Sequence, residues 1–326
     1  MNRRFALLAT LVTVATGCDK AKAFLRAGQA AGPPRIPPGE ELNLASHPVI
    51  LFQVFGETGD ARMVPVAAIS GGKLRTIKLN PENWQRFDAQ YLRRGMTYTI
   101  FQDGHASGTA EVRQGMWERP GRTLYALPGC KTLTPLAAVR ANAQRLRTDF
   151  TLELLASNGA LGVARAPQPM APAEIARVAR GLAAEVAQST GGKAHTLDSL
   201  DFHAVSFPAG VGKANTIVAS FIDPSTEHAS STSARTTHLL LVADRDTSGA
   251  WHATFTHWIN GPLTGAAFRR YFDHLDVTGD GVDEILLEGW QFGGDTFLTV
   301  LGWKDGKWSE VYRARSNWCL DEHPAP

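Results

Sequence analysis

From residue 47 onward the chain alternates short apolar runs with turn-forming residues, the pattern of a protein built mostly from antiparallel strands. Val49 to Phe55 and Met63 to Ile69 are apolar runs separated by Gly56-Glu57-Thr58-Gly59-Asp60, and Leu74 to Leu79 follows the turn Gly71-Gly72. Thr97 to Gln102 and Gly108 to Arg113 flank Asp103-Gly104, which predicts a hairpin with a slightly long loop. One helix interrupts this series. Asn80 is its cap, Pro81 suits its first position, Trp84, Phe87 and Tyr91 recur at helical spacing, and Gly95 stops it. Those aromatic residues are expected to pack on the sheet.

A connector with three prolines runs from Ala164 to Pro172 and puts a domain boundary near residue 160. Pro172 then opens a second helix, 172–189, with Ile175, Val178, Ala179, Leu182 and Val186 on one face and Gly191-Gly192 after it. Beyond the helix the strand pattern returns twice. Phe202 to Phe207 parallels Phe272 to Val277, and Thr216 to Phe221 parallels Ile285 to Trp290. The hairpin Leu239 to Asp244, Ser248-Gly249, Trp251 to Trp258 parallels Phe297 to Tyr312. In the later copy Asp305-Gly306 is a two-residue hairpin signal that sets Trp303 opposite Trp308, expected to be staples of the hairpin rather than a sugar platform. Ser225 to Thr237 reads as a surface insertion in the earlier copy. The expected fold class is mainly β with few helices (α+β), made of antiparallel hairpin sheets. The C-terminal half is expected to hold two propeller-blade-like units. Two blades fall short of the roughly four a propeller needs, so an open sheet or sandwich is expected, unless the first part supplies further sheets.

The first residues set the address. Arg3 and Arg4 precede an uncharged run from Phe5 to Ala15, too short for a bilayer core of about 30 Å and suited to a secretory signal. Ala15-Thr16-Gly17-Cys18 resembles the bacterial lipobox, although that pattern prefers Leu where Ala15 stands. The resemblance implies a lipoprotein signal at 1–17 and lipidation of Cys18; the other reading is a plain signal cleaved after Ala23. Residues 18–46, with Pro33, Pro34, Pro37 and Pro38, have the composition of a tether. The expected organisation is a β-rich domain at 47–160 with one helix, then a C-terminal domain at 161–326. The expected location is the bacterial cell envelope, lipid-anchored on the extracytoplasmic side.

Composition narrows the field further. With 326 residues, 44% hydrophobic and 20% charged, the chain is neither disordered, collagenous nor coiled-coil. The formal charge of +2 comes from 33 Lys and Arg against 31 Asp and Glu. Cleavage before Cys18 removes Arg3 and Arg4, so the mature charge is zero and gives no reason to expect a nucleic-acid partner. The expected partners are the membrane, through the lipid, and a protein or glycan. Cys130 and Cys319 remain. In an oxidising compartment they pair or stay as two separate buried thiols; a bridge would close a loop of about 190 residues, worth roughly 5 kcal/mol on the chain-entropy scale.

One stretch carries ion chemistry. Asp276-Val277-Thr278-Gly279-Asp280-Gly281-Val282-Asp283-Glu284 spaces oxygen side chains at alternate positions around glycines, as a hard cation such as Ca²⁺ requires. Its twelfth position is Leu287, so it is no EF-hand loop. It resembles the loops of FG-GAP or VCBS repeats in bacterial envelope proteins and integrin-type propellers. That resemblance implies Ca²⁺ as cofactor, with Asp276, Asp280 and Glu284 as carboxylate ligands, Val282 as a carbonyl ligand, and Thr278 where the family has Asp or Asn. The other reading is a metal-free turn fixed by Asp side chains bonding to backbone amides.

Catalytic motifs are missing: no Gly-x-Ser-x-Gly elbow, His-Glu-x-x-His, phosphate loop or dinucleotide fingerprint occurs. His252 and His257 fall on opposite faces of a strand unless a bulge intervenes, and His274 is expected at the surface of a strand end. No catalytic residue is assigned. Two function classes follow: a non-enzymatic envelope binding or interaction module, and, as the alternative, an extracytoplasmic hydrolase acting on envelope polymers.

Overall fold

The computed structural model describes residues 46–57, 60–77, 84–115, 137–143, 152–163, 165–166, 168–190, 194–212, 214–225, 234–292 and 296–315. The expected signal, most of the tether, the expected lipidation site Cys18, Asn80 and Pro81, Gly191-Gly192, and Cys130 and Cys319 lie outside them. The architecture is mainly β with antiparallel sheets, as the apolar pattern predicts. Gly39–Pro326 form one compact unit.

Its first part is a closed barrel. Strands β1 (Val49–Glu57), β2 (Asp60–Ser70), β4 (Thr97–Gln102), β5 (His105–Gln114), β6 (Ala137–Ala143) and β7 (Leu152–Ser157) pair in the ring β1-β7-β4-β5-β6-β2, closed by β1 on β2. The short β3 (Lys73–Arg75) adds to β2 through the left-handed turn Gly71-Gly72. Closure needs curvature, and β1 and β2 supply it with a bulge where Leu51 faces Ala67 but Phe52 faces Pro65. Ile50, Phe52 and Val54 point inward beside Met63, Tyr98 and Ile100, so the interior is filled by side chains. Helix α1 (Trp84–Tyr91) lays Phe87, Tyr91 and Leu92 on the same core, and Gly95 leaves it with φ of 84°. The Asp103-Gly104 turn is tighter than expected: β5 starts at His105, and φ values of 52° and 77° make a two-residue loop.

After helix α2 (Pro172–Ser189) come two four-stranded meanders with the same order of strands. The first is β8 (Asp201–Phe207), β9 (Thr216–Ile222), β10 (Arg235–Arg245) and β11 (Trp251–Pro262). The second is β12 (Ala267–Leu275), β13 (Glu284–Gln291), β14 (Thr296–Lys304) and β15 (Lys307–Arg315). Their faces explain the unbroken apolar runs, because a sheet covered on both sides must be apolar at every position. In β9 and β10, Ile217, Phe221, Leu239 and Leu241 pack under α2, whose buried stripe includes Val178, Leu182 and Ala187. Val218, Leu240 and Val242 turn the other way onto Ile285, Leu287 and Leu301 of the second meander. Leu286, Val300 and Tyr312 leave that meander's opposite face and meet Leu51, Val66, Phe101 and Leu155 on the outside of the barrel. The layers are therefore helix, first meander, second meander, barrel. The expected border near residue 160 lies beside this shared core.

Candidate functional site

The acidic loop joins β12 to β13 at the point where barrel, connector and both meanders meet. Its tight path needs left-handed backbone at Gly279 and Gly281, with φ of 76° and 87°. Asp276 is 3% exposed and accepts the N–H of Gly279 at 2.7 Å on one oxygen and that of Gly281 at 3.0 Å on the other. Glu284 is 4% exposed. One of its oxygens accepts the N–H of Val277 at 2.9 Å and of Thr278 at 3.3 Å; the other accepts the Thr278 hydroxyl at 2.8 Å. Asp280 accepts the Val282 N–H at 2.9 Å. Burial pushes the Glu284 carboxyl up to about 7, against those hydrogen bonds.

All four oxygens of Asp276 and Glu284 accept hydrogen bonds from the loop's own N–H and O–H groups, and the Asp280 carboxylate accepts from a fifth amide, that of Val282. Among the described residues no three His, Cys, Asp or Glu side chains converge to hold a metal ion. Asp276, Thr278, Asp280, Val282 and Glu284 all lie in this one loop, the three carboxylates among them held by the hydrogen bonds just given. They form a turn clasped by carboxylates.

The surroundings hold residues that spacing alone did not single out. Asp283 is 1% exposed, gives its N–H to the Ala209 carbonyl at 2.8 Å and pairs with Arg165 of the connector at 3.1 Å. The same Arg165 nitrogen donates to the Gly281 carbonyl at 2.5 Å. Burial raises the Asp283 carboxyl to about 6 in spite of that guanidinium. Residues 208–212, which in the first meander follow β8 as the acidic loop follows β12 in the second, bring Gly210 against Arg165. Together they border a cavity of 270 Å³ lined by Arg165, Gln168, Pro208, Gly210 and Gly212.

His274 is buried, contrary to the expectation of a surface strand end. It is 6% exposed, stacks on Phe207 with ring centroids 3.8 Å apart, and shares a hydrogen bond with the Tyr271 hydroxyl at 2.7 Å. Burial, helped by the charges of His105 and Arg165, holds it down to about 3, so it is neutral. Its neighbour Asp273 accepts the His274 N–H at 2.7 Å and also draws on the backbone N–H groups of Asp103 and Gly104 in the barrel turn. Burial lifts this carboxyl to about 7.

The other two histidines go separate ways. A bulge does intervene: Val242 faces Phe255 while Ala243 faces Ala253, leaving Thr254 as the extra residue. His252 pairs with Asp246 at 2.8 Å in the open, and His257 binds the Ala267 carbonyl at 2.9 Å. Trp303 and Trp308 pair across the β14–β15 hairpin, rings 5.3 Å apart and edge to face, and Trp308 donates to buried Asp244 at 2.8 Å. The signal for Arg165 was weak because its partners lie more than a hundred residues away. His274 and Asp273 looked superficial because the barrel turn that covers them is remote in sequence.

Comparison with protein-family models, curated proteins and solved structures finds no match to this chain.

Proposed function

We propose that the chain is a bacterial cell-envelope lipoprotein, held to the membrane through Cys18, whose folded body is a non-enzymatic interaction module. The lipobox resemblance at Ala15-Thr16-Gly17-Cys18 and the proline-rich stretch after it support the anchor. The two meanders, read as blade-like units packed as a sandwich, support a scaffold that presents loops and edges to a protein or glycan partner. The observation that carries the non-enzymatic reading is the employment of the buried polar groups. Asp244 accepts hydrogen bonds from Thr216, Thr254 and Trp308, Asp273 holds the barrel turn, and His238 and His257 join the meanders. Each binds one layer to another, whereas a hydrolase needs an acid or imidazole facing substrate.

The test is made on the full chain expressed in a bacterium. The wild type partitions into the detergent phase with a diacylglyceryl mass on the peptide that begins at Cys18, and Cys18→Ser moves the protein to the aqueous phase. Partitioning that survives Cys18→Ser overturns the anchor. Turnover of peptidoglycan or envelope polysaccharide by the purified body overturns the non-enzymatic reading.

A further inference from the structure

We propose that Arg165 is the built-in counter-cation of the acidic loop, supplying from within the chain the positive charge that a loop of this sequence would otherwise take from a metal ion. The loop gathers Asp276, Asp280, Asp283 and Glu284 into nine residues, and carboxylates at that density need compensation when they leave water. Backbone amides compensate Asp276 and Glu284, as described above. They leave Asp283, whose side chain is 2% exposed, with the guanidinium of Arg165 3.1 Å from one oxygen and the imidazole of His274, held neutral by burial, 3.8 Å from the other.

The geometry around Arg165 is arranged for that contact. One terminal nitrogen reaches both the Gly281 carbonyl at 2.5 Å and Asp283 at 3.1 Å, so it clamps the loop at its sharpest point and at its acid together. The arginine side chain is 20% exposed, and its Nε is buried with no hydrogen-bond partner, so its polar contacts are concentrated on the loop. The loop above it leaves room only because residue 210 is glycine. A Cβ there would lie 2.6 Å from the Gly281 carbonyl and 2.8 Å from the guanidinium nitrogen, and φ of 88° is itself a conformation that side chains resist. Ala209, the neighbouring residue, accepts the Asp283 N–H. Arg165 of the connector, Ala209 and Gly210, and the acidic loop thus meet at one point. The consequence is a loop ordered without Ca²⁺, whose dependence on Ca²⁺ is uncovered when Arg165 is removed.

Thermal unfolding of the purified protein tests this with excess chelator and with excess CaCl₂. The wild-type midpoint is expected to be the same in both. Arg165→Gln is expected to lower the midpoint in chelator by about 5 °C, and Ca²⁺ is expected to recover at least half of the loss. Arg165→Lys, which keeps the charge, stays close to wild type and indifferent to Ca²⁺. Adding Asp283→Asn to Arg165→Gln removes the orphaned carboxylate and recovers stability without Ca²⁺, a result that also decides the matter if Arg165→Gln alone does not fold. A wild-type midpoint that rises with Ca²⁺ overturns the proposal, because a metal then holds the loop. So does Arg165→Gln melting with the wild type in chelator, or a loss that neither Ca²⁺ nor Asp283→Asn repairs, which would make Arg165 a matter of packing and not of charge.

Discussion

The backbone N–H of Arg269 donates to Nε2 of His238 at 3.1 Å, a side chain of the first meander closing the free edge of the second. The tautomer follows from the bonds. Nδ1 of His238 lies 3.1 Å from the Phe221 carbonyl, which can only accept, so Nδ1 carries the proton and Nε2 is left bare to accept from Arg269. Two residues along the same edge, Nε2 of His257 donates to the Ala267 carbonyl at 2.9 Å. Two outward groups of edge strand β12, the Arg269 N–H and the Ala267 carbonyl, are thereby satisfied by imidazoles where another strand would otherwise add, which protects that end of the edge from pairing with a second chain.

This arrangement makes His238 acid-sensitive in a way that can be isolated. Burial holds it down to about 3 from its ordinary 6.5. The unfolded chain therefore takes up a proton below pH 6.5 that the folded chain refuses, and the stability that neutral His238 contributes is lost as pH falls from 6.5 toward 3. His238→Gln is expected to cost about 2–3 kcal/mol at pH 7, from the broken bonds and the groups left unpaired. Its deficit against wild type should then shrink by about 1.4 kcal/mol for each pH unit below 6.5. Urea midpoints of the two proteins between pH 7 and 5 check this, and a deficit independent of pH would contradict it.

Asp273 predicts the opposite slope. Its carboxyl is raised from 3.8 to about 7 by burial, so the folded chain holds a proton that the unfolded chain releases. Ionisation accordingly removes stability as pH climbs from about 4 to 7, and nothing further changes above that. Asp273→Asn, which cannot ionise, should gain on the wild type by about 1.4 kcal/mol per pH unit over that interval and level off beyond it. The same urea series reads the result. Parallel curves for the two proteins would show that Asp273 is already charged at pH 4.

The contrast between these residues and the strands around them shows what local pattern can reveal. Strand positions, the helix at 172–189 and the Trp303–Trp308 pair were legible because each depends on neighbours a few residues apart: a period of two, a period of 3.6, an Asp-Gly turn. The two-fold repetition of strand order was legible for the same reason. Closure of the barrel was not, because it depends on β1 meeting both β2 and β7, a pairing across about a hundred residues. The acidic loop was recognised by its spacing, yet spacing is equally compatible with oxygens aimed at a cation and oxygens aimed at amides. In the folded chain the oxygens of Asp276 and Glu284 face amides of their own loop, which spacing alone did not say. His274 was misplaced at the surface because its cover, Phe207 and the turn at Gly104, comes from elsewhere in the chain.

The two tryptophans of the last hairpin should differ in weight although they touch each other. Trp308 is 2% exposed and its indole N–H donates to Asp244, which also receives the hydroxyls of Thr216 and Thr254 at 2.5 Å each. Trp308→Phe keeps an aromatic ring but leaves a buried carboxylate oxygen short of a donor, an expected loss of about 2–3 kcal/mol. Trp303→Ala removes the edge-to-face partner from a half-exposed site and should cost about 1 kcal/mol. Denaturant midpoints of the single variants rank them, and the reverse order would mean that ring contact outweighs the buried N–H.

Gly104 provides the sharpest steric test of the joint between barrel and second meander. It sits in the β4–β5 turn with φ of 77°, and a Cβ there would lie 2.7 Å from Nε2 and 2.8 Å from Cδ2 of His274. The imidazole cannot swing aside cheaply, since it is stacked on Phe207 and bonded to Tyr271. Gly71 is the control, in a turn with φ of 57° and nothing within 4 Å of its added Cβ. Alanine at residue 71 meets only the backbone preference, about 1 kcal/mol. Alanine at residue 104 meets that preference and a collision in a packed interior, so its cost should reach about 3 kcal/mol. If Gly104→Ala and Gly71→Ala lower the thermal midpoint equally, the turn is not seated against His274. If Gly104→Ala alone is severe, and pairing it with His274→Ala narrows the gap in a double-mutant cycle, the turn and the imidazole are in direct contact.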